Sequence, residues 1–310
     1  MTCGGSALTK PFHIPEIETI TMPNHRTPIA EVDVVTLDAT LNELRRRAKL
    51  PGQDSEYVSE GLRTGLAELD GLIGDIPLGT MLVAAGRPSM GKRHFALATA
   101  LSAINQQRPM LYFSLGQSRL QLAAMLAELA VDIDYRHLLS GMTRAEDCEK
   151  FDDWRNQIFG TETSAPLYID DTPAPDIGYI RTCIEQLPME RGVIVLDSIN
   201  EMTPLYCQGS AENTHHDLMN DLRWLAKEMD VVMIVMSSLD RGLEDRFDKR
   251  PRSDDLPSLA LLAFCDLLLL FYRDEIYHPT SRGHGITEII VAKNRIGSGV
   301  GVCHMHISDQ

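Results

Sequence analysis

Gly86-Arg87-Pro88-Ser89-Met90-Gly91-Lys92 restricts the fold of this chain more than any other stretch. It fits the pattern GxxxxGK, follows an apolar run over 81–85 and precedes a helical pattern over 92–107. A strand, a glycine-bearing loop and a helix in that order make a phosphate-binding loop. Backbone N–H groups and the helix N-terminus face the anion, and Lys92 reaches its outer phosphates. The expected ligand is ATP or another nucleotide. The expected binding residues are Gly86, Arg87, Pro88, Ser89, Met90, Gly91 and Lys92.

The surrounding pattern agrees. Apolar runs over 81–85, 110–115, 167–170, 193–197, 231–237, 267–272, 286–292 and 302–307 read as strands. Helical patterns over 92–107, 119–130, 176–187 and 212–229 fall among them. Strands alternating with helices point to an α/β fold with a mostly parallel sheet flanked by helices. Many of the strands are unbroken apolar runs, as expected where helices cover both faces of a sheet.

The residue after the loop breaks the pattern. Ser or Thr ordinarily follows the lysine, because its hydroxyl coordinates Mg²⁺. Here Arg93 follows, then His94. A guanidinium is always charged and offers a metal no lone pair. Asp197 ends the apolar run 193–197, where a carboxylate supports the magnesium water shell in such folds. Arg93 and Asp197 should meet beneath the phosphates, so that an arginine–carboxylate pair takes the metal's position. The alternative is an Arg93 turned to solvent. The sequence therefore argues against an ordinary Mg²⁺ site, although Asp197 is its candidate ligand.

Charge and cysteines bound the setting. The 310 residues carry a net charge of −15, which opposes direct contact with nucleic-acid phosphates unless a basic channel is enclosed within an assembly. The six cysteines are scattered with no CxxC pair and no zinc spacing, as in reduced cytoplasmic proteins, where most fill cores. The apolar run 256–272 is interrupted by Pro257, Ser258 and Asp266, so no membrane span is expected. His215 and His216 with Asp217 read as the exposed start of a helix rather than a metal site. Residues 1–33 read as a disordered arm. Leu37, Leu41, Leu44 and Ala48 place an apolar stripe on a helix within 34–52, which must dock on its own domain or on a neighbouring chain. The remainder, 53–310, is read as one domain.

The matched segments resemble DnaB-type replicative helicases of superfamily 4, whose ATPase domain is RecA-like. Arg87-Pro88-Ser89-Met90-Gly91-Lys92 is similar to the RPSMGK of that family. Thr64-Gly65-Leu66-Ala67-Glu68-Leu69-Asp70 resembles its TGxxxLD entry, Phe113-Ser114-Leu115 its FSLE strand and Tyr168-Ile169-Asp170-Asp171 its YIDD strand. Lys249-Arg250-Pro251, the segment 272–278 and Ala292-Lys293-Asn294-Arg295 continue the match in order, so that the similarity covers roughly 60–307. The resemblance implies a RecA-like P-loop NTPase core, ATP-dependent 5′–3′ DNA helicase activity and a hexameric ring. It makes 34–52 the linker helix that docks on the adjacent subunit. It also makes Lys293 and Arg295 a basic pair reaching the next subunit's nucleotide. With only an arm ahead of the linker, the family's helical N-terminal domain is expected to be absent, and with it the primase contact.

Four positions depart from the family. Arg93 replaces the metal-binding Thr. Gly116 stands where FSLE has the Glu that activates the attacking water, and the adjacent Gln117 is no base. Ser238 stands in place of the Gln of the SQL sensor. In 254–260, Pro257, Ser258 and Ala260 replace the Arg, Glu and Gly of the DNA-gripping SDLRESG loop, with Asp254 adding a negative charge. No catalytic residue is then intact. The expectation is a nucleotide-binding subunit with lost or weak hydrolysis. It would partner further copies of itself or a true replicative helicase and hold single-stranded DNA only weakly. The alternative is an active helicase with unorthodox catalytic residues.

Overall fold

A computed structural model describes residues 61–159, 165–202, 211–297 and 299–307. The arm, the linker helix with its apolar stripe, Cys3 and Cys207 lie outside the described residues. Eight strands form one sheet: β1 (Met81–Gly86), β2 (Met110–Ser114), β3 (Leu167–Asp170), β4 (Val193–Asp197), β5 (Val232–Ser237), β6 (Leu267–Tyr272), β7 (Ile286–Asn294) and β8 (Gly301–His306). Their order is β3-β2-β4-β5-β1-β6-β7-β8. The first six are parallel; β7 and β8 join antiparallel at one edge. This is the mostly parallel α/β sheet that the apolar runs anticipate.

Burial explains the two kinds of strand. Every residue of β1, β2, β4, β5 and β6 is buried, because helices pack on both faces. One face holds α1 (Ala67–Ile73), α2 (Lys92–Asn105) and α3 (Arg119–Val131), with Leu69, Phe95 and Leu122 in its core. The other holds α6 (Ile177–Gln186), α7 (Ala211–Glu228) and α8 (Leu259–Phe264), with Ile180, Leu222 and Leu261 in its core. β7 and β8 alternate buried with more exposed positions, since one face of that edge is well covered and the other only in part, where Ile290 and Ala292 of β7 pack against the second core.

Several elements escape a purely periodic reading. α1, α4 (Tyr135–Ser140), α5 (Ala145–Phe159), α8 and α9 (Asp274–Tyr277) are not anticipated. The apolar run 256–272 divides into α8 and β6. Ser258 caps α8 by accepting from the Ala260 N–H at 3.0 Å, and Asp266 at the break accepts from the Met81 N–H. Of the described cysteines, Cys265 and Cys303 are buried, Cys183 is half-buried and Cys148 is exposed, so two of the four fill the core where most were expected to. Among the described residues no helix is long and apolar enough to cross a membrane.

α3 begins with a capping box. Ser118 Oγ accepts from the Gln121 N–H at 3.3 Å, and Gln121 Oε1 accepts from the Ser118 N–H at 3.0 Å. Ser118→Ala is expected to cost about 1 kcal/mol, seen as a lower urea midpoint with an unchanged m-value.

Candidate nucleotide site

The parallel strands all end at one rim of the sheet, the place where α/β folds bind ligands. The loop after β1 lies at that rim, as do the ends of β2 and β4. Phe95 of α2 packs on Phe271 of β6 with ring centroids 5.4 Å apart, which seats the helix behind the loop.

Gly91 caps α2 with φ +93° and no side-chain capping bond, leaving the first-turn N–H groups facing outward. Only glycine fits there. A Cβ on Gly91 would lie 2.6 Å from Thr287 Oγ1. That hydroxyl is buried with no hydrogen-bond partner among the described residues. Lys92 Nζ donates to the Gly86 and Arg87 carbonyls at 2.5 and 3.0 Å. Burial pushes the Lys92 pKa down to about 8 despite the opposing Asp197 charge, with Arg93 and Arg87 adding to the drop. Arg87 donates to Glu244 at 2.8 Å and to the Leu239 carbonyl, and the Arg273 N–H contacts Met90 Sδ at 3.2 Å. The first turn of α2 carries no acidic residue and begins Lys92-Arg93-His94. Cations at a helix N-terminus oppose the helix dipole, so this turn gains from an anion. Burial and the charges of Arg273 and Arg93 hold His94 below the usual histidine range.

Arg93 does not swing to solvent. Its Nε donates to Asp197 Oδ2 at 2.8 Å, and the buried Tyr112 hydroxyl donates to the same oxygen at 3.0 Å. Burial opposes the Arg93 charge, but the Asp197 carboxylate prevails and holds its pKa above the ordinary value. Burial and the same carboxylate push the Tyr112 phenol well up, so it stays a neutral donor. The cradle of loop N–H groups and Lys92 suits phosphates. The donor set does not suit Mg²⁺: the position of the usual hydroxyl holds a guanidinium, and Asp197 Oδ2 already has two donors.

Gly116 is exposed, and a Cβ built on it meets nothing within 4 Å. Gln117 Oε1 beside it is buried without a partner among the described residues. Ser238 donates its N–H to Asn200 Oδ1 at 3.0 Å, beyond the end of β5. Asp254 is exposed in the turn Ser253–Asp255, while Asp255 forms a bidentate pair with Arg246. The basic pair is split. Lys293 Nζ is clasped by the Leu262 and Cys265 carbonyls of its own chain, whereas Arg295 is exposed. His216 packs edge-on against Phe264, and no group of three metal-ligating side chains occurs among the described residues. Sequence reasoning missed Tyr112, Asn200, Arg273 and Thr287. Asn200 and Arg273 are polar residues just past strand ends, a usable signal; Tyr112 and Thr287 read as strand interior.

Residues 61–310 match the family model described as the DnaB-like helicase C terminal domain. The chain belongs to that family. The DnaB-like domain is 33% identical over 258 residues to the probable replicative DNA helicase of Trieres chinensis, covering 80% of this chain and 56% of that protein. It is 32% identical over 258 residues to the replicative DNA helicase DnaB of Geobacillus stearothermophilus, covering 80% and 54%. It thus spans about half the length of these curated relatives. Among solved structures, one described as an ATPase domain superposes with a TM-score of 0.78 at 27% identity, covering 88% of this chain and 96% of that one. A DnaB-like replicative helicase described with its primase interactions superposes with a TM-score of 0.76 at 27% identity, covering 88% and 65%.

Proposed function

We propose that this chain is a nucleotide-binding, DnaB-like helicase subunit of DNA replication whose own hydrolysis is lost or weak. It acts as a member of a ring, with copies of itself or with a true replicative helicase. The observation that carries this reading is the shared hold of Arg93 and Tyr112 on Asp197 Oδ2. A guanidinium there supplies positive charge beneath the phosphates but cannot exchange ligands as a metal does. With Gly116 in place of a carboxylate, nothing at that position takes the proton of an attacking water; general base catalysis is worth about 10² to 10⁴ in rate.

The remaining roles belong to the same proposal. Lys92, the loop 86–91 and Arg93 bind ATP or another nucleotide without Mg²⁺. Arg295 is the member of the basic pair available to a neighbour, because Lys293 is held by its own chain. Residues 1–33 are an arm, 34–52 a helix that docks on the next subunit, and 53–310 the ATPase-like domain. Single-stranded DNA is held weakly at 254–260, where Asp254 opposes phosphate.

Calorimetric titration with ADP and with a non-hydrolysable ATP analogue tests the site. Affinities in EDTA and in Mg²⁺ are expected to agree within about threefold. A strict Mg²⁺ requirement, or sustained metal-dependent turnover by the purified chain, would replace this reading with that of a working helicase.

A further inference from the structure

The edge strand β8 reads Gly301-Val302-Cys303-His304-Met305-His306. Its residues alternate. Cys303 and Met305 are buried in the core, while Val302, His304 and His306 are exposed on the other face. Two imidazoles therefore leave one strand on the same side, about 6.8 Å apart along it. Histidines at that spacing can turn ring nitrogens onto one ion, at roughly 2 Å from each. Other histidines are arranged differently. His215 and His216 are consecutive on α7, and consecutive helix residues do not face each other. His278 and His284 each face a single carboxylate, that of Asp274 and that of Glu275.

The surroundings orient one of the two rings. Glu68 of α1 accepts the His304 N–H at 2.9 Å, and the same oxygen lies 3.7 Å from His304 Nδ1. A carboxylate on the Nδ1 side of a histidine favours the tautomer with its proton there and leaves the Nε2 lone pair open to a metal. Across the ladder, Glu288 of β7 lies opposite His304 on the same face. Both of its oxygens already accept from Arg250, so it is not free to ligate. Among the described residues no third ligating side chain joins the two imidazoles. Water then fills the remaining positions, which makes any ion here exchangeable rather than structural. Imidazole nitrogens suit Zn²⁺, Ni²⁺ and Cu²⁺, whereas Mg²⁺ and Ca²⁺ take oxygen ligands.

We propose that His304 and His306 bind a divalent transition-metal ion of the zinc, nickel and copper group. His304 ligates through Nε2, and Glu68 is the residue that positions its ring. The site contains no residue of the phosphate loop and neither member of the pair Lys293 and Arg295, so it stands or falls separately from the proposed function.

Calorimetric titration of the reduced chain with Ni²⁺, and separately with Zn²⁺, tests it. Each ion is expected to bind the unchanged chain, and excess Mg²⁺ is expected not to compete. Lys92→Ala should leave the binding in place, as should His215→Gln/His216→Gln. His304→Gln/His306→Gln should abolish it while leaving the urea midpoint unchanged, since both side chains are exposed. Glu68→Gln keeps an acceptor for the His304 N–H but loses the charge, and it should weaken the affinity by about tenfold to a hundredfold. The proposal is overturned if neither ion binds, or if binding survives the double variant. It is also overturned if either single variant, His304→Gln or His306→Gln, binds as tightly as the unchanged chain, because the imidazoles would then share no ion.

Discussion

The double variant Arg93→Thr/Gly116→Glu is expected to hydrolyse ATP in Mg²⁺ at least about a hundredfold faster than the unchanged chain. Threonine frees Asp197 Oδ2 from the guanidinium and restores a hydroxyl at the head of α2. Glutamate at 116 meets no steric barrier, since nothing lies within 4 Å of its Cβ. Each single variant should gain little, because groups that act as a unit in one step do not contribute separately. Tyr112 still donates to Asp197 in the double variant, and Ser238 still stands at the sensor position, so the gain stops short of a full motor. The measurement is steady-state phosphate release in Mg²⁺ and in EDTA. A double variant no faster than the unchanged chain would show that the lost chemistry lies elsewhere than at these two positions.

Raising the pH above about 8 is expected to weaken ADP binding by close to tenfold per unit in metal-free buffer. The free protein holds the Lys92 pKa down to about 8, chiefly through burial. Below that pH the ammonium is already charged, so binding is flat. Above it the amine is neutral before binding, and a phosphate next to it restores the charge. Binding then takes up a proton, and affinity falls as protons grow scarce. Lys92→Ala should remove the slope and lower the affinity at pH 7 by about tenfold to a hundredfold, the worth of a hydrogen bond to a charged group. Calorimetry in buffers of different ionisation enthalpy reads the proton directly. An affinity flat through about pH 10 would show that Lys92 stays charged without phosphate and that its burial is too slight to matter.

Much of the sheet was legible because its physics is local. Runs such as Val193-Ile194-Val195-Leu196-Asp197 have no polar face to expose and become buried parallel strands with bounds that match the pattern. The phosphate loop was legible because strand, glycines and lysine are contiguous. Several of the helices were not. α5 spaces Cys148, Phe151, Trp154 and Ile158 along one helix face, a stripe that goes unread among its many charged residues, although none of its described residues is fully buried. α4 and α9 span only six and four residues, lengths that depend on tertiary support rather than propensity. Within the site, the meeting of Arg93 with Asp197 follows from placing a phosphate loop and a strand-end carboxylate in one fold. Tyr112 could not be foreseen. In Met110-Leu111-Tyr112-Phe113 it reads as one more core filler, and only the pairing of β2 with β4 brings its hydroxyl under Asp197. The inward fold of Lys293 was hidden for the same reason: its partners are backbone carbonyls, which no side-chain pattern reveals.

A guanidinium bound to Asp197 is part of the chain and never leaves, unlike an ion that arrives and departs with each nucleotide. On the proposed reading the subunit then has no internal clock. It reports the surrounding nucleotide concentration by simple occupancy and returns to rest only when the ligand diffuses away. In a mixed ring such a member would set a fixed phase among neighbours that cycle.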